Sequence, residues 1–206
     1  MRRGRLITIE GVDGAGKSTL VRALADEIAR RGVAVTVLRE PGGVQAAERI
    51  RELVSDPEAT IGARAEALLY AAARAQLVDE ALTPLLAAGG LVLLDRFVDS
   101  SLAYQGAGRG LGIEAVRAIN EFAIGGIAPD RTLLLDVDPA TARARSAARG
   151  APADRLERGG DEFFQRIACA YRRLASAEPH RFRTIDAGRD PAAVAADALA
   201  AIEDLL

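Results

Sequence analysis

The chain has 206 residues, half of them hydrophobic and 27% charged, with a formal net charge of −2 and one cysteine. That apolar fraction excludes an intrinsically disordered chain, and the near-balanced charge argues against a nucleic-acid-binding surface as its main business. Cys169 cannot form an internal disulfide, which fits a reducing cytoplasm, and the longest apolar stretch, 85–94, is broken by Gly89-Gly90 and cannot span a membrane.

The first predicted element is a buried strand over 6–10, a short β-branched run. Its apolar part is too short for the core of a signal peptide, despite Arg2, Arg3 and Arg5 before it. Gly11-Val12-Asp13-Gly14-Ala15-Gly16-Lys17-Ser18-Thr19 follows, matching G-x-x-x-x-G-K-[ST], and a helix over 18–31 comes next, with Leu20, Leu24 and Ile28 in helical spacing. Strand, glycine loop and helix is the context a phosphate-binding P-loop requires. The glycines let backbone N–H groups turn toward phosphate oxygens, and the helix N-terminus adds partial positive charge. Lys17 is the one lysine among 27 basic residues. It stands where a compact ammonium reaches two phosphates at once, which a planar guanidinium does less well. Ser18 is the candidate hydroxyl ligand of Mg²⁺, and the whole segment is the candidate ATP site.

Further strands are predicted at 34–39, 91–95, 132–137 and 183–186, and helices near 45–54, 63–87, 113–124, 139–148, 161–176 and 190–204. The strands are continuous apolar runs rather than alternating ones, as in a parallel sheet covered on both faces. The expectation is one domain over 1–206, a three-layer α/β/α P-loop NTPase fold on a five-stranded parallel sheet. Ligands are expected at the carboxyl ends of the strands. The polar, glycine-bearing stretch at 149–160 reads as an arginine-bearing lid.

Polar residues gather at the strand ends. The second strand ends in Arg39-Glu40-Pro41-Gly42-Gly43 and the third in Asp95-Arg96-Phe97. An aspartate closing an apolar strand in a P-loop protein is positioned to orient Mg²⁺, although Asp95 could instead cap the next segment. Arg96 beside it is a candidate for holding anionic oxygens. Asp138-Pro139 reads first as a helix cap. His180, the lone histidine, reads as a loop residue after Glu178-Pro179.

These segments together resemble the bacterial thymidylate kinases nearly end to end. The resemblance rests on 11–19, on Arg39-Glu40-Pro41-Gly42-Gly43, and on Asp95-Arg96-Phe97 followed by Ser100-Ser101-Leu102-Ala103-Tyr104-Gln105-Gly106. It also rests on Asp154-Arg155, Phe163-Phe164 and Tyr171. It implies transfer of the ATP γ-phosphate to dTMP, with Mg²⁺, by a cytoplasmic homodimer that needs neither nucleic acid nor membrane. It further implies that Asp13 accepts from the sugar 3′-hydroxyl and that Tyr70 stacks on thymine. Arg74 would donate to a base carbonyl, Ser101 and Gln105 would sit near the pyrimidine edge, and Tyr104 would press on the sugar where a ribonucleotide carries its 2′-hydroxyl. Arg96, Arg51 and Arg39 would hold the acceptor phosphate. Since 13–15 carries no basic residue, Arg149, Arg155 and Arg158 are the candidates to reach the γ-phosphate, with Arg155 the best match. Other deoxynucleotide or deoxynucleoside kinases share this scaffold, and a P-loop regulatory ATPase shares its first motif.

Overall fold

The computed structural model describes residues 3–148 and 160–206. Among them, β1 (Arg5–Glu10), β2 (Val35–Arg39), β3 (Leu91–Asp95), β4 (Arg131–Asp136) and β5 (Phe182–Asp186) form one parallel sheet in the order β2-β3-β1-β4-β5. Parallel neighbours require crossovers, and helices supply them on both faces, giving the expected three-layer α/β architecture.

Side-chain alternation sorts the strands into two cores. Ile7 and Ile9 of β1, Leu91 and Leu93 of β3 and Leu133 and Leu135 of β4 share a cluster with Leu20, Leu24 and Ile28 of α1 (Lys17–Arg30). Leu6, Val92 and Leu94 point the other way and join Leu77, Leu82 and Leu86. Thr8 and Glu10 follow Leu6 onto that second face and are fully buried there.

The remaining helices are α2 (Gln45–Ser55), α3 (Ala63–Leu77), α4 (Thr83–Ala87), α5 (Val98–Ser101), α6 (Ile113–Ile124), α7 (Pro139–Ala147), α8 (Asp161–Ala177) and α9 (Pro191–Ala200). Two features differ from expectation. The helix expected over 63–87 is interrupted by a π-helical stretch at Val78–Leu82 just before Pro84. Proline donates no backbone hydrogen bond and its ring crowds the carbonyl four residues back, so regular α geometry cannot run through it. The segment after β3, read only as a motif, is helical: α5 leads directly into a π-helical stretch at Leu102–Gly108. Gly106 and Gly108 weaken its helical signal, but both are tightly packed, and a Cβ at Gly108 would come within 2.7 Å of Phe163. Asp138 caps α7 by accepting from the backbone N–H of Thr141 at 3.1 Å, and His180 lies in the turn between α8 and β5.

Candidate active site

The loop between β1 and α1 is shaped by backbone demands. Gly14 has φ 83°, and a Cβ there would meet the Ala142 carbonyl oxygen at 1.9 Å. Gly16 has φ 100° with open space where a Cβ would stand. Only glycine takes both roles without strain. The first turn of α1 has no side-chain cap and no acidic residue, so its N–H groups and dipole are available to an anion. Lys17 folds back over the loop, donating to the carbonyl oxygens of Gly11 (3.0 Å) and Val12 (2.9 Å). Burial, with the charge of Arg96, pushes its ammonium down to about 8, against the pull of Asp13, Asp95 and Glu10. A phosphate arriving here meets a cation already stripped of most of its water.

Asp95 closes β3 opposite this loop. Its Oδ2 accepts from the Ser18 hydroxyl at 3.1 Å, while its Oδ1 is buried with no hydrogen-bond partner. A buried carboxylate oxygen left open costs free energy unless something fills the gap. No group of three or more His, Cys, Asp or Glu side chains suited to a metal occurs among the described residues. Ser18 and Asp95 therefore fit an ion that brings most of its ligands with it, as Mg²⁺ does with water and phosphate.

Arg96 has a φ of 70°, a conformation that costs a non-glycine residue free energy and is kept only where the surroundings enforce it. Here its N–H donates to the Ile9 carbonyl (3.0 Å) and the next N–H, of Phe97, donates to Glu10 Oε1 (2.7 Å). The turn directs the guanidinium back toward the loop, where it donates to Gly11 O (3.2 Å), to Ser100 Oγ (3.1 Å) and to Asp13. It also lies 5.1 Å from the centre of the Tyr104 ring. The Tyr104 hydroxyl donates to Asp13 Oδ2 at 2.7 Å; burial above all raises its pKa, so it stays protonated. Burial opposes charge on Asp13, but Arg96, Lys17 and the Tyr104 hydrogen bond outweigh it and hold the carboxyl at about 2.

Behind Arg96, Ser100 and Tyr171 close on Glu10, a buried carboxylate that the sequence reading did not single out. Glu10 Oε2 accepts from Ser100 Oγ (2.6 Å) and from the hydroxyl of Tyr171 in α8 (2.9 Å). Burial, then the neighbouring charge of Asp99, pushes Glu10 up to about 7, despite the hydrogen bonds from Ser100 and Phe97 and the charge of Arg96. An acid raised in the fold favours the folded state while protonated. Its contribution is full below the ordinary value of 4.5 and is lost as pH rises through about 7. Relative to Glu10→Gln, the native chain should therefore lose on the order of 3 kcal/mol between pH 5 and 8. Urea unfolding of both proteins across that range checks this, and parallel pH profiles would refute it.

Two cavities open at the strand ends. The larger, about 750 Å³, is lined by 13–19 together with Arg39, Asp95 and Arg96, and runs on to Arg145, Ala187, Arg189, Pro191, Ala192, Val194 and Ala195. The smaller, about 100 Å³, is lined by Pro41, Ser55, Tyr70, Ser100, Ser101, Tyr104 and Gln105. Both are lined by Asp13, Glu40, Arg51 and Arg96, so they meet at those four residues. Arg51 donates to the Pro41 carbonyl (3.0 Å). Arg39 reaches the larger cavity only and is ion-paired with Glu48 at 2.9 Å.

Arg74 is not on either cavity wall. Its guanidinium is fully buried and bound to Glu40 (2.6 and 2.8 Å), Ser101 Oγ (2.9 Å), the Phe97 carbonyl (3.0 Å) and Asn120. In this geometry it braces Ser101, which does line the smaller cavity. Arg149, Arg155 and Arg158 lie outside the described residues, as does the expected lid apart from Gly160. The far end of the large cavity went unread. Residues 187–195 carry only Arg189 and the helix-capping Asp190 as charged residues, and only the fold brings this stretch into the cavity with the glycine loop.

Comparison with known proteins follows the same lines. A family model described as thymidylate kinase matches residues 9–198. The chain is 46% identical to the thymidylate kinase of Pelotomaculum thermopropionicum, over 99% of this chain and 95% of that protein. It is 48% identical to that of Deinococcus radiodurans, over 99% and 98% respectively. The crystal structure of thymidylate kinase from Ehrlichia chaffeensis superposes with a TM-score of 0.81 at 28% identity, covering 98% of this chain and 99% of that one.

Proposed function

The chain belongs to the thymidylate kinase family, and on that premise we propose how its residues divide the work of moving the γ-phosphate of ATP to dTMP. It is an ATP-dependent phosphotransferase that yields dTDP and ADP. The observation that carries the division of labour is the meeting of a large and a small cavity at Asp13, Arg51 and Arg96. Two anionic substrates entering from opposite sides would bring their phosphates together beside two guanidinium groups.

ATP takes the larger cavity, its phosphates on 11–19 and its base against Ala187, Pro191, Ala192 and Ala195, with Arg145 and Arg189 alongside. Ser18 and Asp95 would hold Mg²⁺, which when bound would supply positive charge to offset that of the ATP phosphates. The nucleoside of dTMP takes the smaller cavity, where Tyr70 offers a ring for stacking and Ser101 and Gln105 offer polar contacts. Asp13 faces the sugar 3′-hydroxyl, and Tyr104 crowds the 2′ position. Arg96 and Arg51 hold the acceptor phosphate, with Arg39 further out. An acceptor phosphate oxygen is already anionic at neutral pH, so no general base is required. Catalysis is alignment plus charge stabilisation. The resemblance gives Arg155, with Arg149 and Arg158, the γ-phosphate itself.

An ADP-release assay with Mg·ATP tests the reading. Turnover with dTMP, less with dUMP, and almost none with dCMP, dGMP, ribo-TMP or thymidine supports it. ADP release without any acceptor would overturn it in favour of a regulatory ATPase.

The same reading makes the enzyme a cytoplasmic homodimer. No described helix is long and apolar enough to cross a membrane. Three packed helices, α2, α3 and α6, each expose a large apolar side chain: Leu53 (47% exposed), Leu68 (56%) and Phe122 (90%). A surface with such a side chain on each adjacent helix suits a protein partner, and a second copy is the partner we assign. Sedimentation should give a dimer for the native chain and a monomer for Phe122→Glu; a native monomer would end the proposal.

A further inference from the structure

We propose that Glu66, which lines neither cavity, decides which pyrimidine the small cavity accepts by fixing the amide orientation of Gln105. This rests on the reading above that the dTMP base occupies that cavity.

Glu66 lies in the first turn of α3 and is fully buried. Its Oε1 accepts from Gln105 Nε2 at 2.8 Å and from Arg109 Nε at 3.2 Å, and its Oε2 accepts from Arg109 Nη2 at 3.1 Å. Arg109 is itself held, with its guanidinium 4.8 Å from the centre of the Phe163 ring. An ion-paired carboxylate offers acceptors only. The amide nitrogen of Gln105 must therefore face Glu66. The flipped amide would set oxygen against oxygen in a buried site, leaving an acceptor unsatisfied at a cost of roughly 1–3 kcal/mol.

The amide oxygen is thus turned away from Glu66. Gln105 is 99% buried and lines the small cavity, and among the described residues its Oε1 neither accepts a hydrogen bond nor is sealed from solvent. The cavity presents a fixed acceptor to the base. Thymine and uracil carry N3–H, a donor. Cytosine has a lone pair at N3 and would meet the amide oxygen with like charge. Neighbouring Ser101 supports the same polarity. Its Oγ already accepts from Arg74 at 2.9 Å, which leaves the hydroxyl proton to donate to a carbonyl such as O4. The 5-methyl group is not read by either contact.

Glu66→Gln keeps the shape but can also donate, so it lets the Gln105 amide turn over. Measured as kcat/KM, the dTMP to dCMP preference should fall at least tenfold, mainly through KM for dTMP, while the dTMP to dUMP preference stays within about twofold. Equal loss for all three substrates would mean that Glu66 only supports the fold, and the inference would fail. Gln105→Met serves as the second variant and should erase the same preference. Adding Glu66→Gln to it should change the preference no further, since residues acting through one contact are not additive. If Gln105→Met retains the native preference, the inference is overturned even where Glu66→Gln does not fold. A native enzyme inactive on dTMP would instead overturn the functional reading beneath it.

Discussion

Replacing Arg96 by alanine should lower kcat/KM for dTMP about a thousandfold, with most of the loss in kcat. Arg96 lines both cavities and is aimed by a left-handed backbone that Ile9 and Glu10 hold in place. A preorganised donor of this kind is worth roughly 10²–10³ in rate when it meets charge developing in the transition state. Arg96→Lys should recover little. A single ammonium cannot serve Gly11, Ser100, Asp13 and a phosphate together. Steady-state kinetics of both variants decide the matter, and a kcat within tenfold of native for Arg96→Ala would remove Arg96 from the transition state.

Lys17→Met should cost a similar factor in kcat, yet leave the nucleotide-free protein at least as stable as the native one. The free energy of the buried ammonium explains both results. In the free protein its pKa is pushed down to about 8 by burial and by Arg96, so keeping it charged at neutral pH disfavours the fold. The sign follows from proton counting. The unfolded lysine keeps its proton to about 10.5, so native stability recovers as pH rises from about 8 toward 10.5. Methionine removes that cost and keeps the apolar stem. Calorimetry should show no drop in Tm for Lys17→Met without nucleotide, but loss of most of the Tm increase that saturating ATP gives the native enzyme. A variant that melts lower and still responds to ATP would show the lysine to be structural.

How much of this was legible beforehand depends on the range of the interaction. Strands buried on both faces write themselves as runs such as 91–94, and the glycine loop carries its chemistry within nine residues. Those parts are local, and the parallel sheet and the strand–glycine-loop–helix unit could be read from them. Glu10 and Glu66 were not recognised, and Glu40 was read only as part of a strand-end motif, because the local pattern around a glutamate is the same whether it faces water or a buried partner. Their partners lie 34 to 161 residues away, and only the tertiary structure pairs them. Arg74 shows the converse. The four-residue spacing from Tyr70 correctly put both on one helix, yet Glu40, Ser101 and Asn120 absorb the guanidinium before it reaches the cavity. The 98–108 helix was hidden by glycines that tight packing against α6 and α8 requires.

The strand order also governs how this chain is born. β1 leaves the ribosome first but sits in the middle of the sheet, and its partners β3 and β4 come much later. The contact between Thr8 and Thr132 spans 124 residues. No hairpin can shelter it meanwhile, since every pairing is parallel. A nascent chain therefore carries β1 with one edge still unpaired, and the finished glycine loop beside it, until β4 at 131–136 has been made. Such topologies fold slowly and expose sticky edges while they wait. Chains truncated before β4 should therefore aggregate more readily than the full chain, the expected consequence of placing the first-made strand at the centre of the sheet.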